Sequence, residues 1–397
     1  MIVAETAIGR MTRKSPVGAF KSFGKKKWLS FGGWINAVIP VLIVPYYSVI
    51  GGWVIKYLVE YFRGNAKQLA EDGYFTDFIS NGVSTELCFM AFCAFTLIII
   101  FAGVQNGIER VSKIMMPILI VLSVIIAVYS VTRPGALAGV KYFLVPNVKN
   151  FSWMTVVSAM GQMFYSLSIA MGILITFGSY MKKDTAIEDS TRNVEVFDTG
   201  IAIMAGLMII PAVFAFSGGD PNTLQAGPSL MFITIPKVFQ NMGFGTVIGI
   251  VFFLLVLFAA VTSSIALTES AVSTFEDELG WGRKKATVLV GVIMLALGSL
   301  SSLGYGPLAG IKIIGMQFLD LFDFLTNSVM MPIAALLTSL LVSRVVGIDK
   351  IEDEIIHGES AFRRKKVFVV MIKYLCPVFA IIILLSSVAN ALGWIKM

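Results

Sequence analysis

Long apolar segments dominate this sequence and limit what it can fold into. A helix of about 20 apolar residues is long enough to cross the hydrocarbon core of a bilayer. Nine such spans are predicted, near residues 29–56, 86–104, 112–132, 153–181, 196–216, 246–275, 286–304, 320–343 and 367–392. Residues 1–10 are apolar but too short to cross, and we interpret them as the remnant of a further span. The sequence therefore predicts an all-α, polytopic membrane protein with a single transmembrane domain over residues 1–397.

The composition excludes several classes of function. With 57% hydrophobic and 14% charged residues, the chain lies outside the range of soluble proteins, which carry about 25% charge. His357 is the only histidine, and Cys88, Cys93 and Cys376 lie in or beside apolar runs without metal-site or disulfide spacing. No phosphate-binding glycine loop or nucleophile–base pairing is apparent. We therefore expect neither an enzyme nor a nucleic-acid-binding protein.

The basic residues predict the orientation. Lys and Arg are enriched in cytoplasmic loops of membrane proteins. They cluster here at alternate ends of the spans, in residues 10–27, 110–113, 182–192, 283–285 and 344–366. These loops are predicted to face the cytoplasm, which places the C-terminus outside. The expected location is the plasma membrane.

The loop at 220–241 is too apolar for an ordinary solvated connection and holds two prolines. Two interpretations stay open. The segment forms a re-entrant or lid-like pair of short helices on the outer face, or it forms a helix that lies on the membrane surface.

Three groups of polar residues interrupt the apolar spans. They are Gln162 with Ser166 and Ser168, then Asp198, and then Thr262, Ser263 and Ser264. Polar groups at membrane depth are costly, and they are retained where they face a cavity, a partner or an ion path. Three groups on three successive predicted helices indicate one binding site.

The three groups are not equally strong evidence for a binding site. Ser and Thr hydroxyls can bond to a carbonyl of their own helix, so Thr262 and its neighbours also fit helix packing. No basic residue lies between Arg192 and Lys237 to neutralise Asp198 locally, and Asp198 needs a cation, a proton or water unless it reaches the cytoplasmic surface. Ser166 and Ser168 are two residues apart and cannot share one helix face. If both serve one site, the helix is interrupted there.

Six segments occur in the order and context of the neurotransmitter:sodium symporter family, whose bacterial members include the leucine transporter. They are AETAIGRMTRKSPVGAFK, PYYSVIGGW, GIERVSKIMMP, SAMGQMFYSLSIAMG, AAVTSSIAL and FEDELGWGRKKA. The chain resembles this family from the end of its second helix to its eleventh. The resemblance implies an inverted-repeat, broken-helix transporter fold that lacks its first helix and most of its second.

The resemblance also implies a substrate pocket. Tyr47 is similar to the tyrosine whose hydroxyl meets the substrate carboxylate. Tyr165, Ser166, Ser168 and Met171 are similar to the unwound part of the sixth helix, where freed backbone groups receive the amino acid.

Two sodium sites follow from the same resemblance, each only partly present in this chain. Ser166 and Asp198 match the first site. Ala259, by its carbonyl, matches the second site together with Thr262 and Ser263. Carbonyl, hydroxyl and carboxylate oxygens suit a hard cation.

Gate residues are implied at both ends of the pathway. Asp323 matches the acid of the outer gate, and Tyr180 and Asp277 match the inner gate. In the family these residues close against the first helix. We therefore expect residues 1–397 alone not to transport. The alternative is a non-transporting membrane protein, either a transporter remnant or a scaffold.

Departures from the family pattern refine the expected function. Asp198 stands where many members have Asn, and Ala202 stands where chloride-dependent members supply a hydroxyl. A built-in negative charge should replace the chloride. Met171 stands where an aromatic residue often closes the pocket, and a flexible thioether suits apolar side chains. The sequence thus predicts chloride-independent, sodium-coupled symport of a large hydrophobic amino acid by alternating access, with the bilayer, sodium and the amino acid as partners.

Overall fold

The computed structural model of the protein describes residues 1–225 and 227–391. Its twelve principal helices are α1 Ile2–Thr12, α2 Lys27–Phe62, α3 Gly82–Phe101, α4 Val104–Val131, α5 Trp153–Ser166, α6 Ile173–Tyr180, α7 Ile187–Ser217, α8 Leu230–Gln240, α9 Gly245–Leu279, α10 Arg283–Leu303, α11 Phe318–Val346 and α12 Lys365–Asn390. Eight of them are long and apolar enough to cross a membrane: α2, α3, α4, α7, α9, α10, α11 and α12. The described residues contain no strand, only an isolated bridge between Ile313 and Met316. The predicted all-α fold class is confirmed.

Short helices connect the long ones. Their bounds are Pro16–Lys21, Ala66–Leu69, Tyr74–Ser80, Ala136–Leu144, Val148–Asn150, Pro221–Thr223 and Ile348–Ile356. The apolar loop at 220–241 contains the short turn at 221–223 and helix α8. Phe232, Val238 and Phe239 of α8 are buried, so this helix packs inward against the other helices.

The predicted span at 153–181 is two helices separated by a break. Helix α5 ends at Ser166 and α6 begins at Ile173. Neither piece alone is long enough to cross a bilayer, since a spanning helix needs about 20 residues. The total of nine spans stays a prediction.

Two pairs of helices pack tightly against each other. Helix α2 packs along α9, and α1 packs along α6. The second contact depends on glycine, because a Cβ at Gly9 would lie 2.0 Å from the Ile175 carbonyl oxygen. A Cβ at Gly178 would likewise lie 2.5 Å from the Thr6 carbonyl oxygen. Small residues at these two positions let the backbones of α1 and α6 touch.

Helix α4 begins with a π-helical segment, Val104–Glu109, which includes Gly107, the first residue of the segment GIERVSKIMMP. Widened turns of this kind occur frequently at functional sites. A Cβ at Gly107 would lie 2.1 Å from the Ile99 carbonyl oxygen. This close approach joins the start of α4 to the end of α3.

Candidate binding site

The break between α5 and α6 has an unusual backbone conformation. Ser168, Ala170 and Gly172 have φ angles of 54°, 59° and 72°. Left-handed conformations cost a residue with a Cβ about 1–2 kcal/mol, so local propensity does not favour this path. Its stability must come from contacts with the surrounding helices.

One of those contacts is a buried carboxylate from α1. The Ala170 N–H donates to Glu5 Oε1 at 3.0 Å, and the Glu5 side chain is completely buried. A buried backbone N–H needs an acceptor, and the Glu5 side chain supplies one at the break. Glu5 therefore holds the break open. The sequence interpretation missed this role, although a glutamate within the apolar run IVAETAIG is a signal that could have found it.

A cavity of about 450 Å³ lies beside the break. Its lining consists of Ile43, Tyr47, Met116, Gln162, Tyr165, Ser166, Ser168, Met171, Ile173, Thr262, Ser263, Ala266 and Leu267. All five residues that the sequence assigned to the substrate pocket are among them. The volume lies within the range of about 300–1,000 Å³ that is typical of small-molecule sites.

The two residues assigned to the first sodium site are joined by a hydrogen bond. Ser166 Oγ, at the end of α5, donates to Asp198 Oδ1 on α7 at 2.6 Å. The two residues are 32 positions apart in sequence. Asp198 does not line the cavity itself and lies behind Ser166. The pair presents carboxylate and hydroxyl oxygens at the point where α5 ends.

The residues assigned to the second sodium site lie on one turn of α9. Thr262 Oγ1 donates to the Ala259 carbonyl at 3.0 Å and to the Phe258 carbonyl at 3.1 Å. Ser263 is exposed to the cavity, and the Tyr47 hydroxyl interacts with it. The Thr262 hydroxyl is therefore bonded within its own helix, as the packing alternative also allows.

Asp323, which the sequence assigned to the outer gate, is hydrogen-bonded to neutral groups. Asp323 Oδ1 accepts hydrogen bonds from the Tyr46 hydroxyl at 3.2 Å and from Asn327 Nδ2 at 2.6 Å. Tyr46 also contacts Thr326 Oγ1 at 3.3 Å. The sequence interpretation gave Tyr47 a role but missed Tyr46. The two tyrosines are adjacent in α2, so they point to different sides of the helix.

The two residues that the sequence assigned to the inner gate have different partners. The Tyr180 hydroxyl donates to Glu269 Oε1 at 2.7 Å, and Asp277 Oδ2 accepts the Ser15 backbone N–H at 2.5 Å. Glu269 is completely buried. The Arg283 guanidinium donates to its two carboxylate oxygens, at 3.1 Å to Oε1 and at 2.5 Å to Oε2. The sequence interpretation did not identify Glu269 or Arg283. Their pairing depends on the turn between α9 and α10.

The donor set suits sodium better than a transition metal. No group of three or more His, Cys, Asp or Glu side chains occurs among residues 1–225 and 227–391. The residues at the break and on α9 offer hydroxyl, carbonyl and carboxylate oxygens, which hard cations prefer.

Comparisons with known proteins agree with this geometry. The model of the Sodium:neurotransmitter symporter family matches residues 59–394. The chain is 33% identical over 392 residues to the uncharacterized sodium-dependent transporter YhdH of Bacillus subtilis (strain 168), covering 98% of this chain and 86% of that protein. It is 30% identical over 404 residues to an uncharacterized sodium-dependent transporter of Haemophilus influenzae, again with 98% and 86% coverage.

The fold is similar to a solved transporter structure as well. The crystal structure of MhsT in complex with L-phenylalanine matches with a TM-score of 0.85 and 32% sequence identity, covering 97% of this chain and 87% of that one. Together with the long apolar helices, these matches establish a multi-pass membrane protein. The chain belongs to the sodium:neurotransmitter symporter family of sodium-dependent transporters.

Proposed function

We propose that this protein couples the movement of sodium to the transport of a large hydrophobic amino acid and does not require chloride. The observation that carries the proposal is the 2.6 Å bond between Ser166 Oγ and Asp198 Oδ1. It joins a broken helix to a carboxylate within a membrane-spanning helix, next to a cavity of about 450 Å³.

Sodium is the partner that Asp198 needs. No ion pair involves Asp198 among the described residues. An ionisable residue in a span is costly unless it meets a partner, a cation or water. A sodium ion between Asp198 and Ser166 would neutralise the carboxylate. It would also place a positive charge beside the substrate carboxylate.

The break supplies the rest of the substrate site. Backbone groups that a broken helix leaves free can receive the charged ends of an amino acid, and Tyr47 offers a hydroxyl to its carboxylate. Met171, Ile43 and Leu267 give the cavity an apolar wall, which favours a hydrophobic side chain. The phenylalanine bound in the related MhsT structure supports the same substrate class.

A second sodium ion is proposed at Ala259, Thr262 and Ser263. The Ala259 carbonyl and the Thr262 hydroxyl lie 3.0 Å apart, so both oxygens can face one ion. Sodium binding would require the Thr262 hydroxyl to turn its lone pairs toward the ion. This site contains no carboxylate, so we expect it to bind sodium more weakly than the Asp198 site does.

Chloride independence is proposed from Asp198 and Ala202. The fixed charge on Asp198 would offset the sodium ion, and Ala202 has no hydroxyl with which to bind an anion. Replacing chloride by gluconate should therefore leave transport unchanged.

The test measures radiolabelled amino-acid binding and uptake by proteoliposomes that contain this protein. Phenylalanine and leucine should bind in sodium but not in N-methyl-D-glucamine, and glutamate should not bind. Binding that is independent of sodium, or that is lost in gluconate, would contradict the proposal.

Binding and uptake are measured side by side because they separate the alternatives. Sodium-dependent uptake by vesicles that contain only this chain would support coupled transport. Sodium-dependent binding without uptake would support the proposed site but contradict the proposed transport. A transporter remnant or scaffold predicts neither binding nor uptake.

A further inference from the structure

Tyr46 is a buried tyrosine of α2 for which the proposed substrate and sodium sites give no role. Its exposed fraction is 2%, and it is not among the residues that line the cavity of about 450 Å³. The next residue, Tyr47, lines that cavity and interacts with Ser263 of α9. Adjacent residues of a helix do not share a face, so Tyr46 is directed to another neighbour. That neighbour is α11.

The partners of Tyr46 lie where α11 departs from a regular α-helix. The Tyr46 hydroxyl bonds Asp323 Oδ1 at 3.2 Å and contacts Thr326 Oγ1 at 3.3 Å. Asp323 directly precedes the π-helical segment Phe324–Met330, and Thr326 lies within it. Such segments occur frequently at functional sites. Tyr46 therefore joins α2 to the irregular part of α11.

The direction of these bonds follows from the protons that each group can donate. An ionised carboxylate only accepts, and a tyrosine or threonine hydroxyl has one proton to donate. The Thr326 hydroxyl already donates to the Phe322 carbonyl at 2.8 Å, so Tyr46 gives its own proton to Asp323. The lone pairs of the Tyr46 oxygen then stay available to Tyr165, whose hydroxyl interacts with Tyr46. A directed chain thus leads from Tyr165 through Tyr46 to Asp323.

This chain joins the cavity to the predicted outer end of α11. Tyr165 lies in the last turn of α5, beside the break, and lines the cavity. Asp323 is exposed, whereas Tyr46 between them is buried. A movement of Tyr165 when the cavity is filled would therefore change the bond between Tyr46 and Asp323.

We propose that Tyr46 is a positioning residue for the proposed transport. It holds Asp323 in place while the amino acid occupies the cavity, and so slows release of the amino acid to the outer side. This inference rests on the proposed function, because it requires a substrate beside Tyr165. Tyr46 touches neither the substrate nor sodium and acts through its two hydrogen-bonding neighbours.

The test measures dissociation of radiolabelled phenylalanine from the full chain in detergent micelles with saturating sodium. Tyr46→Phe should speed dissociation about tenfold, because it removes a hydrogen bond to a charged group. The matched control is Tyr61→Phe. Tyr61 lies on the same helix and is equally buried, but its hydroxyl makes no hydrogen bond within residues 1–225 and 227–391. An unchanged rate in Tyr46→Phe, or an equal change in the control, would refute the proposal.

A double-mutant cycle separates positioning from packing. Asp323→Asn alone should also speed dissociation, and Tyr46→Phe/Asp323→Asn should be no faster than the faster single variant, because residues that act as one unit are not additive. If the two effects multiply, Tyr46 does not act through Asp323 and the proposal is overturned.

Hydrogen exchange without substrate distinguishes failure of this inference from failure of the proposed function. A parent chain that binds no phenylalanine in sodium would contradict the proposed function. The link between Tyr46 and Asp323 is tested in either case. Amides of Phe324–Met330 should exchange faster in Tyr46→Phe than in Tyr61→Phe, and equal exchange in the two variants would refute the link.

Discussion

The predicted inner gate and the region around the α5–α6 break both contain carboxylates within the helix bundle, but the groups that compensate these carboxylates differ. At the predicted inner gate, the Arg283 guanidinium forms an ion pair with the buried Glu269, with hydrogen bonds of 2.5 and 3.1 Å. Around the break, Glu5 and Asp198 accept hydrogen bonds from a backbone N–H and a hydroxyl. No ion pair involves either of them within residues 1–225 and 227–391.

A second ion pair, between Arg10 and Glu354, repeats the pattern of the Glu269–Arg283 pair. Arg10 is completely buried and binds Glu354 at 2.7 Å, and Lys183 binds the same carboxylate at 2.7 Å. Burial alone would raise the pKa of Glu354, but Lys183 and Arg10 hold that pKa below its ordinary value. The Arg10 side chain also donates to the Thr185 carbonyl at 2.5 Å. These contacts tie α1 to the loop after α6 and to the 348–356 helix.

The difference separates stability from ligand binding. A buried charge is tolerated when it is paired, and removal of one partner is strongly destabilising. Where the protein supplies the cation, the pair holds the fold together. At Asp198 the protein supplies no cation, and the position is open to one from solution, as proposed. Substitutions in the Glu269–Arg283 pair should therefore lower stability, whereas substitution of Asp198 should lower sodium binding.

The largest effect is expected at the inner gate. Arg283→Ala would leave the carboxylate of Glu269 buried without its cation, and stability should fall by about 3–5 kcal/mol. Unfolding in mixed micelles measures this loss. The control is Arg63→Ala, because Arg63 is 66% exposed in its pair with Glu60 and should lose at most about 1 kcal/mol. Equal losses would remove the distinction between structural and exposed pairs.

The next-largest effect is a loss of sodium affinity, expected at Asp198 beside the cavity. Asp198→Asn should weaken sodium binding about 10- to 100-fold, since interactions with a charged group contribute about 1.5–3 kcal/mol, while stability should not fall. A sodium titration of substrate binding measures it. Glu195→Gln is the control, because Glu195 lies on the same helix and bonds the exposed Arg364 at 2.7 Å. A sodium dependence that Asp198→Asn leaves unaltered would contradict the proposed site.

A smaller effect is expected at Glu5, which accepts the Ala170 N–H in the break between α5 and α6. Glu5→Ala removes the acceptor of the Ala170 N–H, and leaving a buried donor unsatisfied costs about 1–3 kcal/mol. Hydrogen exchange at Ala170 should become faster. Glu5→Gln keeps an oxygen at this position and serves as the control, with slower exchange than in Glu5→Ala. If Ala170 exchanges equally in both variants and in the parent, Glu5 does not hold the break.

The smallest effect is expected for Tyr180→Phe. The substitution removes one hydrogen bond from Glu269 but leaves Arg283 in place, so stability should fall by only about 0.5–1.5 kcal/mol. Tyr142→Phe is the control, because Tyr142 is 52% exposed and its hydroxyl has no hydrogen bond in the described residues. A loss as large as that of Arg283→Ala would show that the hydroxyl stabilises the buried Glu269 as much as the guanidinium does, which would contradict the prediction.

Much of the cavity could be predicted from residue types and spacing. The pair Ser166 and Ser168 indicated an interrupted helix if both serve one site, and α5 does end at Ser166. Asp198 stood out because a carboxylate in an apolar run needs a partner. The apolar segments predicted the long helices because hydrophobicity and length alone decide whether a helix can cross a bilayer.

The partners of these residues could not be predicted in the same way. Glu5 and Ala170 are 165 positions apart, and Arg10 and Glu354 are 344 positions apart. No local pattern connects such pairs. The close approach of α1 and α6 at Gly9 and Gly178 brings the first pair together, and hydrophobic periodicity does not encode that packing.

The sequence by itself therefore determined the class of protein, its apolar helices and the polar positions that interrupt them, because the cost of polar groups in lipid is a property of each residue. Only the tertiary structure decided how each charge is compensated. It placed the Arg283 guanidinium beside Glu269 and the Ser166 hydroxyl beside Asp198. Compensation depends on distances of about 3 Å between helices that are far apart in the chain, and packing alone sets those distances.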